Sequence, residues 1–154
     1  MTPETVIRTA SRADLSAVLQ LWDRVSVTPK VTDSIEALTH LLNHPGGILL
    51  VATIDDRIVG SVIGGWDGWR GNIYRLAVSP DHRRKGIAQR LVKEISIALC
   101  SKGAQRLSAL VEHEHPWAVN FWNSMRDLGF EHDPTLIRYK ADRPARKTDQ
   151  VRML

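Results

Sequence analysis

The chain is poor in cysteine: Cys100 is its only one in 154 residues. A lone thiol excludes an intramolecular disulfide and fits a reducing compartment, so a cytoplasmic location is expected. Cys100 sits near a helix end with no histidine beside it in sequence. That context suits a small core or half-buried residue better than an acyl-carrying nucleophile. No stretch approaches the roughly 18 apolar residues of a membrane span, and the N-terminus lacks a signal-peptide pattern, so no membrane partner is expected. A strong excess of one charge is missing too: 21 Lys+Arg against 17 Asp+Glu leave +4. Half of that excess lies in residues 142–154, where Arg143, Arg146, Lys147 and Arg152 oppose Asp142 and Asp149. The remaining body is too weakly basic for a nucleic-acid surface, but it suits an anionic small ligand gripped by a few local cations. Two nucleotide signatures are also absent, G-x-x-x-x-G-K-[ST] and G-x-G-x-x-G.

What is present is an ordinary globular composition, 43% hydrophobic and 25% charged, long enough for one domain with a real core. Val6-Ile7 open a strand. Ser11 and Asp14 read as a capping box before a helix over about 12–25, whose inner face is Leu15, Val18, Leu19, Trp22 and Val25. Thr28-Pro29 breaks it. Asp33 with Glu36 is expected to cap a second helix, which Pro45-Gly46-Gly47 ends. Two strands joined at Asp55-Asp56 form a hairpin, and the turn 67–71 leads to a third strand, Asn72–Val78. From Gly86, the residues Ile87, Ala88, Leu91, Val92, Ile95, Ala98 and Leu99 draw one apolar stripe that stops at Lys102-Gly103. A strand over 106–112, a helix opened by Pro116 and a closing strand over 135–141 complete the body. The order β-α-α-β-β-β-α-β-α-β predicts an α/β (α+β) single domain over 1–141, built on a mixed, mainly antiparallel sheet flanked by helices. Residues 142–154 read as a basic, mobile tail.

Between the third strand and the long helix stands "SPDHRRKG". The first amides of a helix lack intrahelical acceptors and lie at the positive end of its dipole. Gly86 removes the Cβ that would hold a large anion away, and Arg83, Arg84 and Lys85 add full charges on the approach. Together they make a diphosphate seat. The plainer alternative is that Gly86 only permits the turn while the cations are solvated.

The stretch "IYRLAVSPDHRRKGIAQRLV" resembles the acetyl-CoA signature of the GNAT superfamily of N-acetyltransferases. Its Arg/Gln-x-x-Gly-x-Gly/Ala core is matched by Arg83, Gly86 and Ala88. "IRTASRADLSAVLQLW", the hairpin, "DGWRGNIYRLAV" and "AVNFWNSMRDLGF" extend the resemblance, in order, over most of the body. The resemblance implies that Arg84, Lys85, Gly86, Ile87, Ala88 and Gln89 contact the diphosphate of acetyl-CoA. It also implies that Leu76, Ala77 and Val78 pair with the pantetheine arm, in a slot opened where the fourth strand splays from the fifth. The implied function is transfer of an acetyl group from acetyl-CoA, as co-substrate, to an amine acceptor by direct attack. A catalytically weak acyl-CoA-binding module of the same fold is the alternative.

Departures from the family pattern fall on the chemistry. Many members carry Asn where this chain has His115, and a Tyr that protonates the leaving thiolate where it has Trp122, assigned here to the cofactor side. A glutamate used as base in one branch aligns with Leu110. Candidate catalytic groups are therefore Glu112, able to relay a proton through water, and the imidazole of His115. For His115 a helix-capping role competes. His113 and His115 alone make no metal site, and none is expected. Arg75, mid-strand among apolar residues, suits either a substrate contact or a solvated edge. Trp66 and Trp69, around the Asp67-Gly68 turn, suit an acceptor wall, a homodimer contact or plain packing.

Overall fold

The computed structural model describes residues 3–25, 30–112 and 115–143. The expected break at Thr28-Pro29, the residues His113 and Glu114, and the tail from 144 onward lie outside the described residues.

The central strands form where apolar residues run nearly unbroken, because both faces of the sheet are covered. β1 (Thr5–Thr9), β2 (Gly47–Ile54), β3 (Arg57–Trp66), β4 (Gly71–Val78) and β5 (Leu107–Ala109) make one five-stranded sheet in the order 1-2-3-4-5. The first three pairings are antiparallel and β4–β5 is parallel, so the sheet is mixed and mainly antiparallel, as the element order predicts. The β2–β3 turn places Asp55 and Asp56 at φ 50° and 63°, the two left-handed positions that a two-residue hairpin demands.

Both faces of the sheet are covered. On one, α1 (Leu15–Val25) and α2 (Ile35–Asn43) set Leu15, Val18, Leu21, Trp22 and Leu38 on Leu49, Val51, Ile63 and Ala77. On the other, α3 (Ile87–Lys102) sets Ile87, Leu91, Ile95 and Leu99 on Leu50, Ala52, Val62 and Ile73. Neighbours such as Leu49 and Leu50 go to opposite faces because strand side chains alternate. Fully burying each such Leu or Ile is worth about 1.5–3 kcal/mol, so the sheet between its helices is the stable body. The α1 entry is tied down as expected: Asp14 accepts from the Ser11 amide at 2.7 Å and pairs with Arg8 at 2.7 Å.

Three sequence expectations need correction. α2 is capped by Ser34, whose Oγ accepts from the Ala37 amide, whereas Asp33 turns away to pair with Arg75. The strand expected over 106–112 is only Leu107–Ala109, because β5 leaves β4 after three residues. Residues 135–141 form no strand: Leu136, Ile137 and Tyr139 are 71%, 77% and 87% exposed, and no ladder partner is present among the described residues. Strand propensity describes a side chain's fit to a pleated surface, and without a neighbouring edge it makes no strand.

Candidate functional site

β4 and β5 open a gap within the sheet. They pair at Gly71–Leu107, Asn72–Ser108 and Ile73–Ala109, and beyond Ile73 the β5-facing edge of β4 has no strand beside it among the described residues. Within that free stretch β4 carries a bulge. Ser61 faces Ala77 while Ile63 faces Tyr74, so β4 has one residue more than β3 there, and Arg75 takes φ 52°. The extra residue shifts the alternation: Ile73, Leu76 and Val78 all pack toward α3, and Ala77 toward α1. A non-glycine residue held at positive φ costs about 1–2 kcal/mol, a strain that clusters at functional sites.

The turn from β4 into α3 builds the second feature. Arg84 has φ 63° and Gly86, the N-cap of α3, has φ 76°, with Lys85 between them in the ordinary region. Alternating backbone handedness points successive amides into one concavity, an anion nest. Helix bonding begins with the Arg90 amide on the Gly86 carbonyl, and no acceptor among the described residues takes the amides from Arg84 to Gln89. A Cβ built on Gly86 would meet nothing within 4 Å, so the approach is open.

These amides face a cleft of about 390 Å³ between α3 and α4 (Pro116–Asn123). Of the residues expected at the cofactor, Val78, Arg83, Arg84, Gly86, Ile87, Ala88 and Gln89 line it. Leu76 packs toward the α3-side core, Ala77 is buried on the other face, and Lys85 is exposed. Trp122 is not brought to the cleft. On α4 the residues Trp117, Asn120, Phe121 and Ser124 share the cleft-facing side at helical spacing, while Trp122 packs edge-on against Phe130, 5.1 Å between ring centroids. The i, i+4 pair Trp117 and Phe121 stacks at 5.7 Å and 16° to form the wall. Arg83 lies over the Trp117 ring, 4.7 Å from its centroid, with Nε 3.4 Å from the Val78 carbonyl oxygen. His82 also lines the cleft, and its buried Nδ1 has no hydrogen-bond partner among the described residues. Sequence reasoning missed His82, Trp117, Asn120, Phe121 and Ser124. The alternation of aromatic and polar residues after Pro116 was the signal available for the last four.

On the opposite side of the gap the charged groups converge. Glu112, three residues past β5, pairs with Lys30 at 2.6 Å. The Lys30 hydrogen bond, its charge and the field of Arg75 hold the Glu112 carboxyl below the usual carboxylate range. That makes it a charge partner more than a strong base. His115 caps α4: its Nδ1 accepts from the Ala118 amide at 3.3 Å, and its Nε2 stands 3.4 Å from the Val25 carbonyl oxygen. A ring with Nδ1 accepting and Nε2 facing a carbonyl is the neutral Nε2–H tautomer. Arg75 is neither a solvated edge nor free: it pairs with Asp33 and lies 5.1 Å over the ring of Trp22.

Other candidates lie elsewhere. Cys100 is exposed on α3, not in the core and not at the cleft. Trp66 lies beside Gly103 and lines a second recess of about 440 Å³ with His44 and Lys102. Trp69 is 72% exposed under Arg70, which sits 4.2 Å over its ring. Among the described residues no group of three His, Cys, Asp or Glu could hold a metal, and no helix is long and apolar enough to cross a membrane.

Known proteins resemble this chain in sequence and in fold. The profile of the acetyltransferase (GNAT) family matches residues 15–130. An acetyltransferase of Pectobacterium atrosepticum is 33% identical over 119 residues, covering 77% of this chain and 84% of its own. Among solved structures, aminoglycoside N-acetyltransferase AAC(6')-Iy in complex with CoA has TM-score 0.73 at 17% identity, over 92% of this chain and 97% of that one. The PaiA N-acetyltransferase of Thermoplasma acidophilum in complex with coenzyme A gives 0.71 at 16%, over 79% and 87%. The structures establish a shared fold, and the profile match, over more than half of the chain, establishes kinship: the chain belongs to the acetyltransferase (GNAT) family.

Proposed function

We propose that this chain transfers the acetyl group of acetyl-CoA to a primary amine within a ternary complex. One observation carries the reading: the α3 nest, whose amides have no acceptor among the described residues, lines a cleft that also takes in Val78, the end of β4. The diphosphate of acetyl-CoA accepts from the amides of Arg84 to Gln89, while Arg83, Arg84 and Lys85 supply the charge. The pantetheine arm lies along Leu76 to Val78 as an added strand, with main-chain bonds fixing its register. Trp117 and Phe121 close the apolar side. The CoA complexes of the two fold neighbours support this reading.

The chemistry is a balanced displacement. The amine nitrogen, once neutral, attacks the thioester carbonyl; the C–N bond forms, the C–S bond breaks, and CoA leaves as thiolate. The amine surrenders a proton to water and the thiolate takes one up, giving an amide and free CoA. A main-chain amide near Leu76 to Val78 stabilises the developing oxyanion. Glu112 attracts the acceptor ammonium and passes its proton to water, while His115 fixes the start of α4 through its cap.

Thermal shift with acetyl-CoA, followed by thiol release across amino acids, peptides, polyamines and aminoglycosides, tests the proposal. Stabilisation without thiol release on any amine would instead favour an acyl-CoA-binding module. The seat itself is tested by a pair of variants that share the positive-φ strain of position 86 but differ in charge. Gly86→Glu should weaken acetyl-CoA binding about 100-fold or more, and Gly86→Ala by less than about tenfold, by calorimetry. Equal affinities for the two would remove the diphosphate from this turn.

A further inference from the structure

Four charged side chains from three separate parts of the chain meet where β4 and β5 part. Lys30 and Asp33 come from the approach to α2, Arg75 from the β4 bulge, and Glu112 from beyond β5. They form a continuous series. Arg75 pairs with Asp33, the Lys30 amide donates to Asp33 Oδ2 at 2.9 Å, and Lys30 Nζ reaches Glu112 at 2.6 Å. The segment before α2 is thus tied to both lips of the gap, to β4 through Asp33 and to the end of β5 through Lys30. Continuing the β4–β5 register past Ile73–Ala109 would bring Glu112 alongside Leu76, level with the stretch proposed to hold the thioester end. Trp22 forms the floor under Arg75 and is itself fixed by its Nε1–H donating to Ser61 Oγ at 2.8 Å.

Packing stability alone does not account for charges at this place. An ion pair drawn from water is often replaceable by apolar residues at no cost in stability, and Arg75 holds its place at a strained φ of 52°. Their arrangement instead describes a ligand. Among the described residues the cluster carries two cations and two anions, in alternation. A polycationic amine would find its carboxylates already compensated and meet two repelling cations. A molecule carrying one ammonium and one carboxylate can exchange for both pairs together, each of its charges gaining an opposite partner.

We propose that the acceptor is a zwitterionic amine, a free amino acid, whose carboxylate is taken by Arg75 and whose ammonium is drawn toward Glu112. This rests on the acetyl-transfer reading above and adds the acceptor class to it. Arg75 and Glu112 are then specificity-determining residues at the amine end of the slot.

The test uses the full chain, acetyl-CoA and matched acceptors: amino acids, their methyl esters, their decarboxylated amines, and spermidine. Thiol release should give the amino acids a kcat/KM about tenfold or more above their decarboxylated counterparts, the range of one charge-assisted contact. Arg75→Met should bring that ratio near one while the acetyl-CoA thermal shift is kept, and Arg75→Lys should restore part of it. Should Arg75→Met not fold, Glu112→Gln provides the second arm, raising KM for every amine and leaving KM for acetyl-CoA unchanged. Equal or better turnover of decarboxylated amines or spermidine overturns the inference, as does an acetyl-CoA shift with no amino acid accepted. Absence of any acetyl-CoA shift would instead sink the earlier proposal, so the two failures are distinguishable.

Discussion

β2 and β3 are joined along their whole length, from Gly47–Gly65 to Ile54–Arg57, and helices cover both of their faces. β4 and β5, in the same sheet, share three residue pairs and then separate. The zipped region is read by burial, and the open one by a strand edge and a row of helix amides that find no acceptor among the described residues. A helix start and a strand edge that keep their donors and acceptors open are where a ligand's polar groups can be taken. The ion pairs divide the same way. Arg8–Asp14 secures the entry to α1 within the closed region, whereas Lys30–Glu112 spans the lip of the opening.

The contrast can be broken at the core. Leu91→Ala removes a fully buried side chain of α3 and should cost about 3 kcal/mol of stability, read by urea unfolding. Phe121→Ala, at the cleft wall, should cost less than half as much yet weaken acetyl-CoA binding in calorimetry. Comparable stability losses would mean that α4 belongs to the closed body.

The two ion pairs sharpen it. Asp14→Asn should lower stability by about 1 kcal/mol at neutral pH and leave turnover unchanged. Arg8 and the Ser11 amide hold the Asp14 carboxyl well below the usual carboxylate range. The folded protein therefore binds fewer protons there than the unfolded chain, and the stabilisation is fully present above the unfolded value of about 4. It is lost as pH falls toward the folded value. The gap between wild type and variant should accordingly narrow below about pH 4 in thermal melts. A gap independent of pH would deny the pair its role.

The smallest effect lies at the β2–β3 turn, farthest in character from the opening. Asp56→Gly relieves a positive φ of 63° and should raise stability by about 0.5 kcal/mol, with no change in activity. A loss of stability would show that the Asp56 side chain contributes more than its backbone costs.

Much of the fold was legible in the residues. The stripe from Ile87 to Leu99, the Asp55-Asp56 hairpin and the Ser11/Asp14 entry each rest on interactions within a few residues, and each is present. The turn into α3 was legible for the same reason, since glycine, neighbouring cations and helix start are contiguous. Expectations failed where a long-range partner decides. Asp33 is a plausible cap by type, but Arg75, 42 positions away, claims it. Residues 135–141 have strand chemistry without an edge to join, and Trp122 has the expected position in sequence on a helix turned the other way.

The sequence by itself determined the helices, the hairpin, the two-sided burial of the sheet and the glycine turn into α3, because periodicity, capping and glycine placement act over single turns of chain. Only the tertiary structure decided where β5 leaves β4, that β4 bulges at Arg75, and that Lys30, Asp33, Arg75 and Glu112 meet. Those outcomes depend on the balance of packing and charge between segments far apart in the chain, which no local pattern encodes.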